Sequence, residues 1–423
     1  MAEKDGDLEI VRAEEEVISL ESLEKECQSE PVVKLVNQIL ANAVNSGASG
    51  IHIEPYKNSL RVRYRMDGAL HQVLEPAREM KDAIVGRIKM MSELNLAERR
   101  LPQQGQLRIK IRDREIAMIV NSIPTIFGER MVMEILKKGD QAIELELGKL
   151  GFENKQLEQF RHAINQTCGL IIVAGPSGSG KNTTIYSALW ELNRPELCIA
   201  TAEWTDRWQL PGVNQTLIQW DIGLNFASAT RTFLQTDADI IFVREVTDYE
   251  TAEMVFRAAL NNKLIFIALH TVDTASTIIR LVNMGIDPWL ITSGVLLINA
   301  QRLLRKLCPE CRKKIEIKEK VLVDAGLTLD EISSATIYQA KGCPSCHNTG
   351  YHGRVMACET LALSDDFKDV VLNGKSAPAL KEIAIQKGMQ SLRRSALKKM
   401  MDGLTSLEEV LRHTPPDPKP SCH

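Results

Sequence analysis

Gly175-Pro176-Ser177-Gly178-Ser179-Gly180-Lys181-Asn182 has the residue types and spacing of a loop that wraps a phosphate. Glycines let backbone N–H groups turn inward around an anion, the lysine adds a point charge, and a following helix start adds a favourable dipole. The apolar run Gly169 to Ala174 and the helical pattern Thr183 to Leu192 supply the strand and helix that such a loop joins. The candidate nucleotide-binding set is therefore Gly175, Pro176, Ser177, Gly178, Ser179, Gly180, Lys181, Asn182 and Thr183. One position departs from the pattern. Where a Ser or Thr hydroxyl would ligate Mg2+ stands Asn182, whose amide oxygen lies one bond further from the backbone, so that the metal shifts or a water fills the gap.

Two further apolar strands deliver polar residues to the same kind of edge. Asp237-Ala238-Asp239-Ile240-Ile241-Phe242-Val243-Arg244-Glu245 ends in a carboxylate. In a doubly wound sheet that edge faces the ligand, so Glu245 is placed to polarise a water near a terminal phosphate or to hold Mg2+ through water; the plainer alternative is a surface salt bridge. Leu264-Ile265-Phe266-Ile267-Ala268-Leu269 runs into His270-Thr271. His270 senses the phosphate, orients water, or is a structural histidine with its hydrogen bonds satisfied. A separate cluster is Cys308-Pro309-Glu310-Cys311, then 31 residues, then Cys343-Pro344-Ser345-Cys346. Two CxxC knuckles suit a closed tetrahedral zinc site of structural character, with redox dithiols as the competing reading. Cys27, Cys168, Cys198, Cys358 and Cys422 are scattered and read as ordinary thiols.

These residues need a scaffold to converge. From Leu150 onward strands and helices alternate, with strands expected at the loop, at Leu197 to Glu203, Asp239 to Val243 and Leu264 to Leu269. That is an α/β pattern, a parallel helix-covered sheet of the P-loop ATPase kind, spanning 150–414. Within it Ile278 to Arg305 reads as mainly helical, 306–348 as the zinc-binding insertion, and 365–413 as C-terminal helices broken at Gly388 and Gly403. Thr405 and Ser406, three residues before Glu408 and Glu409, form a capping-box start. Ahead lies a small α+β, PAS-like domain over 31–137, joined by a polar linker over 138–149. Its helices are expected at Val32 to Asn45 and Lys81 to Leu96, with strands at Ile51-His52-Ile53, Leu60 to Met66, Leu70 to Leu74, Gln106 to Arg112 and Arg114 to Ser122. Arg61, Arg63 and Arg65 alternate as a solvated sheet face does, or approach phosphates if the sheet packs on the nucleotide domain. Residues 1–30 read as an acidic flexible tail with a short helix around Leu20 to Cys27, and 415–423 as a loose tail.

Composition sets the outer bounds. The 423 residues carry 52 Lys+Arg against 55 Asp+Glu, a net charge of −3, which gives no support to a nucleic-acid or membrane-surface protein. No apolar run reaches bilayer-spanning length and the N-terminus lacks a secretory signal, so the cytosol is the expected location. Nine cysteines, four of them paired as CxxC, favour metal over disulfides in that compartment.

In order along the chain, ASGIHIEP, RVRYRMDG, RLPQQGQ, PTIFGER, the phosphate loop, QLPGVNQ, the glutamate strand, LHTVDTA, QRLLRKLCPEC, GCPSCHNTGYHGR and GLTSLEEVL resemble the secretion and pilus assembly ATPases of type II secretion and type IV pilus systems. The resemblance covers about Pro31 to Thr414, and the four cysteines are similar to the assembly and secretion branch. It implies a RecA-like domain, a hexameric ring (alone or mixed with a homologous ATPase), ATP turnover with Mg2+, and an inner-membrane platform as partner. It also implies that the protein sits at the inner face of the cytoplasmic membrane. The family's usual leading domain is expected to be missing, with the acidic tail in its place.

The resemblance further places Glu203 at or near the metal, since it survives from an aspartate box that reads Thr201-Ala202-Glu203-Trp204-Thr205-Asp206-Arg207 here. The acidic residue and proline after Glu203 do not survive. Arg244 replaces a glycine, Thr247, Gln235 and Gln106 stand where the family has arginines, and a strand arginine falls at Ile119. Arginines in such rings offset charge developing on the terminal phosphate. Two readings follow. In a motor ATPase, Lys181 holds phosphates, Glu245 activates water and His270 senses. In a non-catalytic ring subunit or regulator, the same site binds nucleotide or serves only shape. Asn182, Arg244 and the altered box tip the balance toward binding without efficient turnover.

Overall fold

Alternating polarity in the first third and continuous apolar runs in the rest produce two different sheets. The computed structural model of the chain describes residues 20–111, 114–136, 145–204 and 208–418, and the chain divides into one unit up to Lys138 and a second from Gly139.

The first unit contains α1 (Leu20–Cys27), α2 (Glu30–Asn45), β1 (Gly50–Pro55), β2 (Leu60–Met66), β3 (Ala69–Leu74), α3 (Lys81–Met91), β4 (Gln103–Ile111), β5 (Arg114–Thr125) and β6 (Gly128–Leu136). Its six strands form an antiparallel sheet in the order β3-β2-β1-β6-β5-β4. Alternation fills one face: Ile51, Ile53, Leu60, Val62, Met118, Val120, Met131 and Met133 are buried together with Val36, Ile39, Leu40, Ile84 and Ile88 of the helices. Three expectations shift. The helix of the acidic N-terminal segment is not loose, because Leu23 and Cys27 are buried. The second helix stops at Met91, short of Leu96. The arginines of β2 are not simply solvated, since Arg63 grips the buried Glu54 through two hydrogen bonds of 2.8 and 2.7 Å while Arg61 and Arg130 lie 3.5 and 3.2 Å from it. The turn at Asp113 and the acidic residues before Leu20 lie outside the described residues.

The second unit begins with α4 (Asn154–Ile164), β7 (Gly169–Ala174), α5 (Lys181–Leu192), β8 (Ile199–Glu203), β9 (Val213–Leu217), α6 (Phe226–Gln235), β10 (Ile240–Val243), α7 (Tyr249–Leu260), β11 (Leu264–Leu269), α8 (Thr274–Asn283), α9 (Pro288–Gly294) and β12 (Val295–Leu307). It continues with β13 (Lys313–Lys314), α10 (Glu319–Ala325), α11 (Leu329–Ser334), β14 (Tyr338–Gln339), β15 (Tyr351–Ala362), α12 (Asp365–Leu372), α13 (Ala377–Gln386), α14 (Leu392–Met401) and α15 (Leu407–His413). The seven-stranded sheet has the order β15-β12-β7-β11-β10-β8-β9, parallel throughout except for the antiparallel β12–β15 pair. Strands β7, β8, β10 and β11 are wholly buried, as expected for parallel strands with helices on both faces, and a core lies on each side.

The largest departure from the sequence reading is β12. Ile278 to Arg305 was expected to be mainly helical, but only α8 and α9 are, and Val295–Leu307 is a thirteen-residue strand. Leu-rich runs satisfy a helix as well as a strand; here pairing to β7 on one side and β15 on the other overrides local propensity. The C-terminal helices break at Gly388 and Gly403, with φ of 91° and 69°. Ser406 caps α15 by accepting from the Glu409 N–H, but the Glu409 carboxylate turns to Arg305 rather than closing a capping box.

Candidate functional site

The phosphate loop hangs from the middle of the sheet, because β7 lies between β12 and β11. Gly175 leaves the strand with φ of 149°, and a Cβ there would sit 2.6 Å from the Gln301 carbonyl oxygen and 2.5 Å from Ser179 Oγ, so the loop passes too close for any side chain. Gly178 and Gly180 adopt φ of 77° and 88°. The loop then feeds directly into α5, whose first residue is Lys181 and whose first turn carries the half-buried Asn182 and Thr183. Lys181 is 8% exposed, and its Nζ donates to the Gly175 and Pro176 carbonyls at 2.7 and 3.0 Å. Burial, then the positive charges of Arg302 and Arg244, pull its ammonium down to about 8 against the opposing pull of Glu245. Ser179 is buried and its Oγ has no hydrogen-bond partner in the protein. A glycine-rich loop, one buried ammonium and one orphaned hydroxyl fit an oligophosphate.

Strand β12 supplies a clamp. The Gln301 side chain donates to the Ser179 carbonyl at 2.9 Å and accepts from the Thr184 hydroxyl at 2.9 Å and the Asn299 amide at 3.0 Å. Arg302 donates to the Gln301 and Val272 carbonyls at 2.9 and 2.7 Å, bridging the loop side to the segment after His270. Gln301 and Arg302 open the stretch QRLLRKLCPEC of the family resemblance. A polar pair inside an apolar run is the local signal for them, and a helical reading of that run hides it.

The other strand ends reach the same edge. Ala174 pairs with Leu269, Ile267 with Val243, and Val243 with Ala202, so Gly175, His270, Glu245 and Glu203 lie along one rim. His270 is exposed at its surface, but partial desolvation of its ring and the Lys181 charge hold it below the usual histidine range, with Glu245 opposing. The Glu245 carboxylate is therefore felt at both Lys181 and His270. One of its oxygens accepts the Trp204 indole N–H at 2.6 Å. Glu203 differs from the other two. It is fully buried, and its carboxylate accepts from the Thr201 hydroxyl at 2.7 Å, the Gln215 amide at 3.0 Å and the Tyr186 hydroxyl. Its oxygens are thus already bonded within the protein. Thr205, Asp206 and Arg207 lie outside the described residues.

The four cysteines gather at the far end of the β12–β15 hairpin, where the Cys308 N–H donates to the Gly350 carbonyl. Their sulfurs all lie within 4.8 Å of one another, with Cys308–Cys343, Cys311–Cys346 and Cys343–Cys346 separations of 3.8, 3.8 and 3.6 Å. Zinc–sulfur bonds of about 2.3 Å in a tetrahedron put sulfurs about 3.8 Å apart, so the spacing fits the ion. Backbone N–H groups of Gly342, Cys343 and Gly350 point at these sulfurs, as suits thiolates. Cys422 lies outside the described residues, and the other scattered cysteines form no disulfide.

The family described as Type II/IV secretion system protein matches residues 25–412. A type IV pilus assembly ATPase, PilB, of Myxococcus xanthus is 46% identical over 413 residues, covering 97% of this chain and 72% of the relative. A type II secretion system ATPase E of Vibrio cholerae is 37% identical, covering 95% of this chain and 78% of the relative. Among solved structures, the pilus retraction motor PilT with bound ADP superimposes with a TM-score of 0.59 at 22% identity, over 89% of this chain and 96% of that one, a likeness of fold.

Proposed function

The chain belongs to the Type II/IV secretion system protein family, and we propose on that premise that it is an ATP-binding ring subunit whose nucleotide cycle acts on an inner-membrane platform protein of a pilus assembly or type II secretion system. The ring is a homo-hexamer or is shared with a homologous ATPase. The protein acts in the cytoplasm, at the inner face of the cytoplasmic membrane; no described helix is long and apolar enough to cross a bilayer. The observation that carries the reading is the buried Lys181 ammonium inside a glycine loop braced by Gln301. On ATP binding, Lys181 exchanges two carbonyl oxygens for phosphate oxygens, and the N–H groups at the start of α5 take the rest of the anion. Mg2+, when bound, neutralises charge between the terminal phosphates, and Asn182 is the loop residue that would face it. Glu245 accepts a proton from, or orients, the attacking water, and His270 lies beside it.

Turnover is slow in this reading. The rim offers a longer, neutral amide in place of a hydroxyl ligand, a buried Glu203 already bonded to three donors, and a Glu245 bonded to an indole. The same observations favour a second reading, a non-catalytic ring subunit that binds nucleotide only. Steady-state phosphate release beside a nucleotide titration separates them: binding with slow release of phosphate supports the first, binding with none supports the second, and no binding removes both.

Zinc in the Cys308, Cys311, Cys343 and Cys346 cluster has a structural part. It closes the hairpin that carries α10 and α11, which pack on α14 and α15 through Leu322, Leu397, Met400 and Val410. Metal analysis is expected to find about one zinc per chain and to lose it in Cys343→Ser, together with a fall in melting temperature. Retention of the metal in that variant would sink the assignment.

A further inference from the structure

Trp204 touches the nucleotide site through one bond: its indole N–H is donated to one Glu245 carboxylate oxygen at 2.6 Å. The ring is fixed from two sides. The Trp220 ring lies 5.8 Å away at 30°, and Phe226, the first residue of α6, meets it edge-on at 5.1 Å and 86°. The two partners join residues from different strand ends, because Trp204 follows β8 and Glu245 follows β10. A hydrogen bond to the ionised form of a carboxylate stabilises that form and makes it a poorer base. It also fixes the rotamer and leaves one oxygen for a water.

We propose that Trp204 is a positioning residue that restrains Glu245, an indole latch held by the Trp220–Phe226 aromatic clamp, so that hydrolysis is limited by release of the carboxylate. The inference rests on the reading of Glu245 as the water-activating base. Among the described residues, Lys181 and His270 feel the Glu245 charge, with Arg302, Arg244 and Arg280 acting on those two, and none is altered by a change at Trp204.

Trp204→Phe keeps a flat ring against Trp220 and Phe226 and deletes only the N–H. Its kcat for ATP is expected to rise about ten- to a hundredfold, the effect of one hydrogen bond to a charged group. KM is expected to stay the same. A mere packing role would not raise kcat at constant KM. Trp220→Leu, which loosens the clamp without touching the bond, should raise kcat by less, and it carries the test if Trp204→Phe does not fold. The two rates are compared again with Glu245→Gln added. If Glu245→Gln abolishes turnover in every background while the tryptophan changes leave the rate where it was, the latch is wrong and the base assignment stands. If Glu245→Gln turns over like the parent, or if neither the parent nor any variant hydrolyses ATP, the base assignment fails and the latch falls with it.

Discussion

Around β7 and β12, polar side chains shape a loop: Gln301 braces Ser179 and Thr184, Arg302 ties the loop side to Val272, and the buried Lys181 holds only two carbonyl oxygens that a phosphate can replace. Around β8 and β10, polar side chains are bonded to one another: Glu203 to Thr201, Gln215 and Tyr186, and Glu245 to Trp204. The two regions share one sheet edge and one backbone register. A backbone cradle survives changes of side chain, since its donors are N–H groups fixed by the fold. Activation of water depends on the free orbitals of one or two carboxylates, which a single new donor can take. Loss of chemistry with retention of binding is therefore the cheaper change to make in such a sheet.

The largest effect that tests this contrast is at Lys181. Lys181→Ala is expected to weaken ATP binding about a hundredfold or more, because a charge-assisted contact to phosphate is lost, while the fold is kept. ATP binding as tight as the parent's in a calorimetric titration would place the site elsewhere. Next in size is a matched pair. Gln301→Leu strips the loop of its brace and strands the Thr184 hydroxyl, so nucleotide affinity is expected to fall about tenfold. Glu203→Gln places an amide among donors, so the melting temperature is expected to drop while affinity changes less than about threefold. If Glu203→Gln weakens binding more than Gln301→Leu, the two regions do not divide as described. The smallest effect is with pH. Lys181 in the free protein loses its proton near pH 8, whereas a bound phosphate holds the ammonium form; affinity is expected to fall as pH rises through about 8, with proton uptake on binding. An affinity unchanged between pH 7 and about 9.5 would mean that burial does not depress the Lys181 ammonium in the free protein.

Legibility in the sequence followed this division. The strands β7, β10 and β11 are short continuous apolar runs punctuated by a glycine loop, Glu245 and His270, and buried parallel strands have that appearance wherever they occur. The cysteine cluster was legible from spacing alone, since two knuckles restrict where four sulfurs can go. Strand β12 was not, because Val295 to Leu307 has no local feature that separates a long strand from a helix, and with it went Gln301 and Arg302. Trp204 stood out as a departure, but its bond to Glu245 joins positions 41 apart and depends on β8 lying beside β10. Likewise the burial of Glu203 depends on Tyr186 and Gln215 arriving from other elements, which no single stretch discloses.

In the proposed function the site binds ATP and is held back in hydrolysis by the residues on its rim. The most direct measurement is the steady-state rate of phosphate release for the parent and for Asn182→Thr combined with Arg244→Gly, at saturating ATP and Mg2+. A hydroxyl then stands where the metal is coordinated and the cation next to Glu245 is removed, each contact being worth roughly 1–3 kcal/mol. The expected result is a slow parent and a double variant faster by about ten- to a hundredfold for each contact restored, with nucleotide affinity little changed. A parent that already turns over at about 1–100 per second, typical of enzymes that cleave ATP, and is slowed by the double change would contradict the account and make Arg244 a working part of the site.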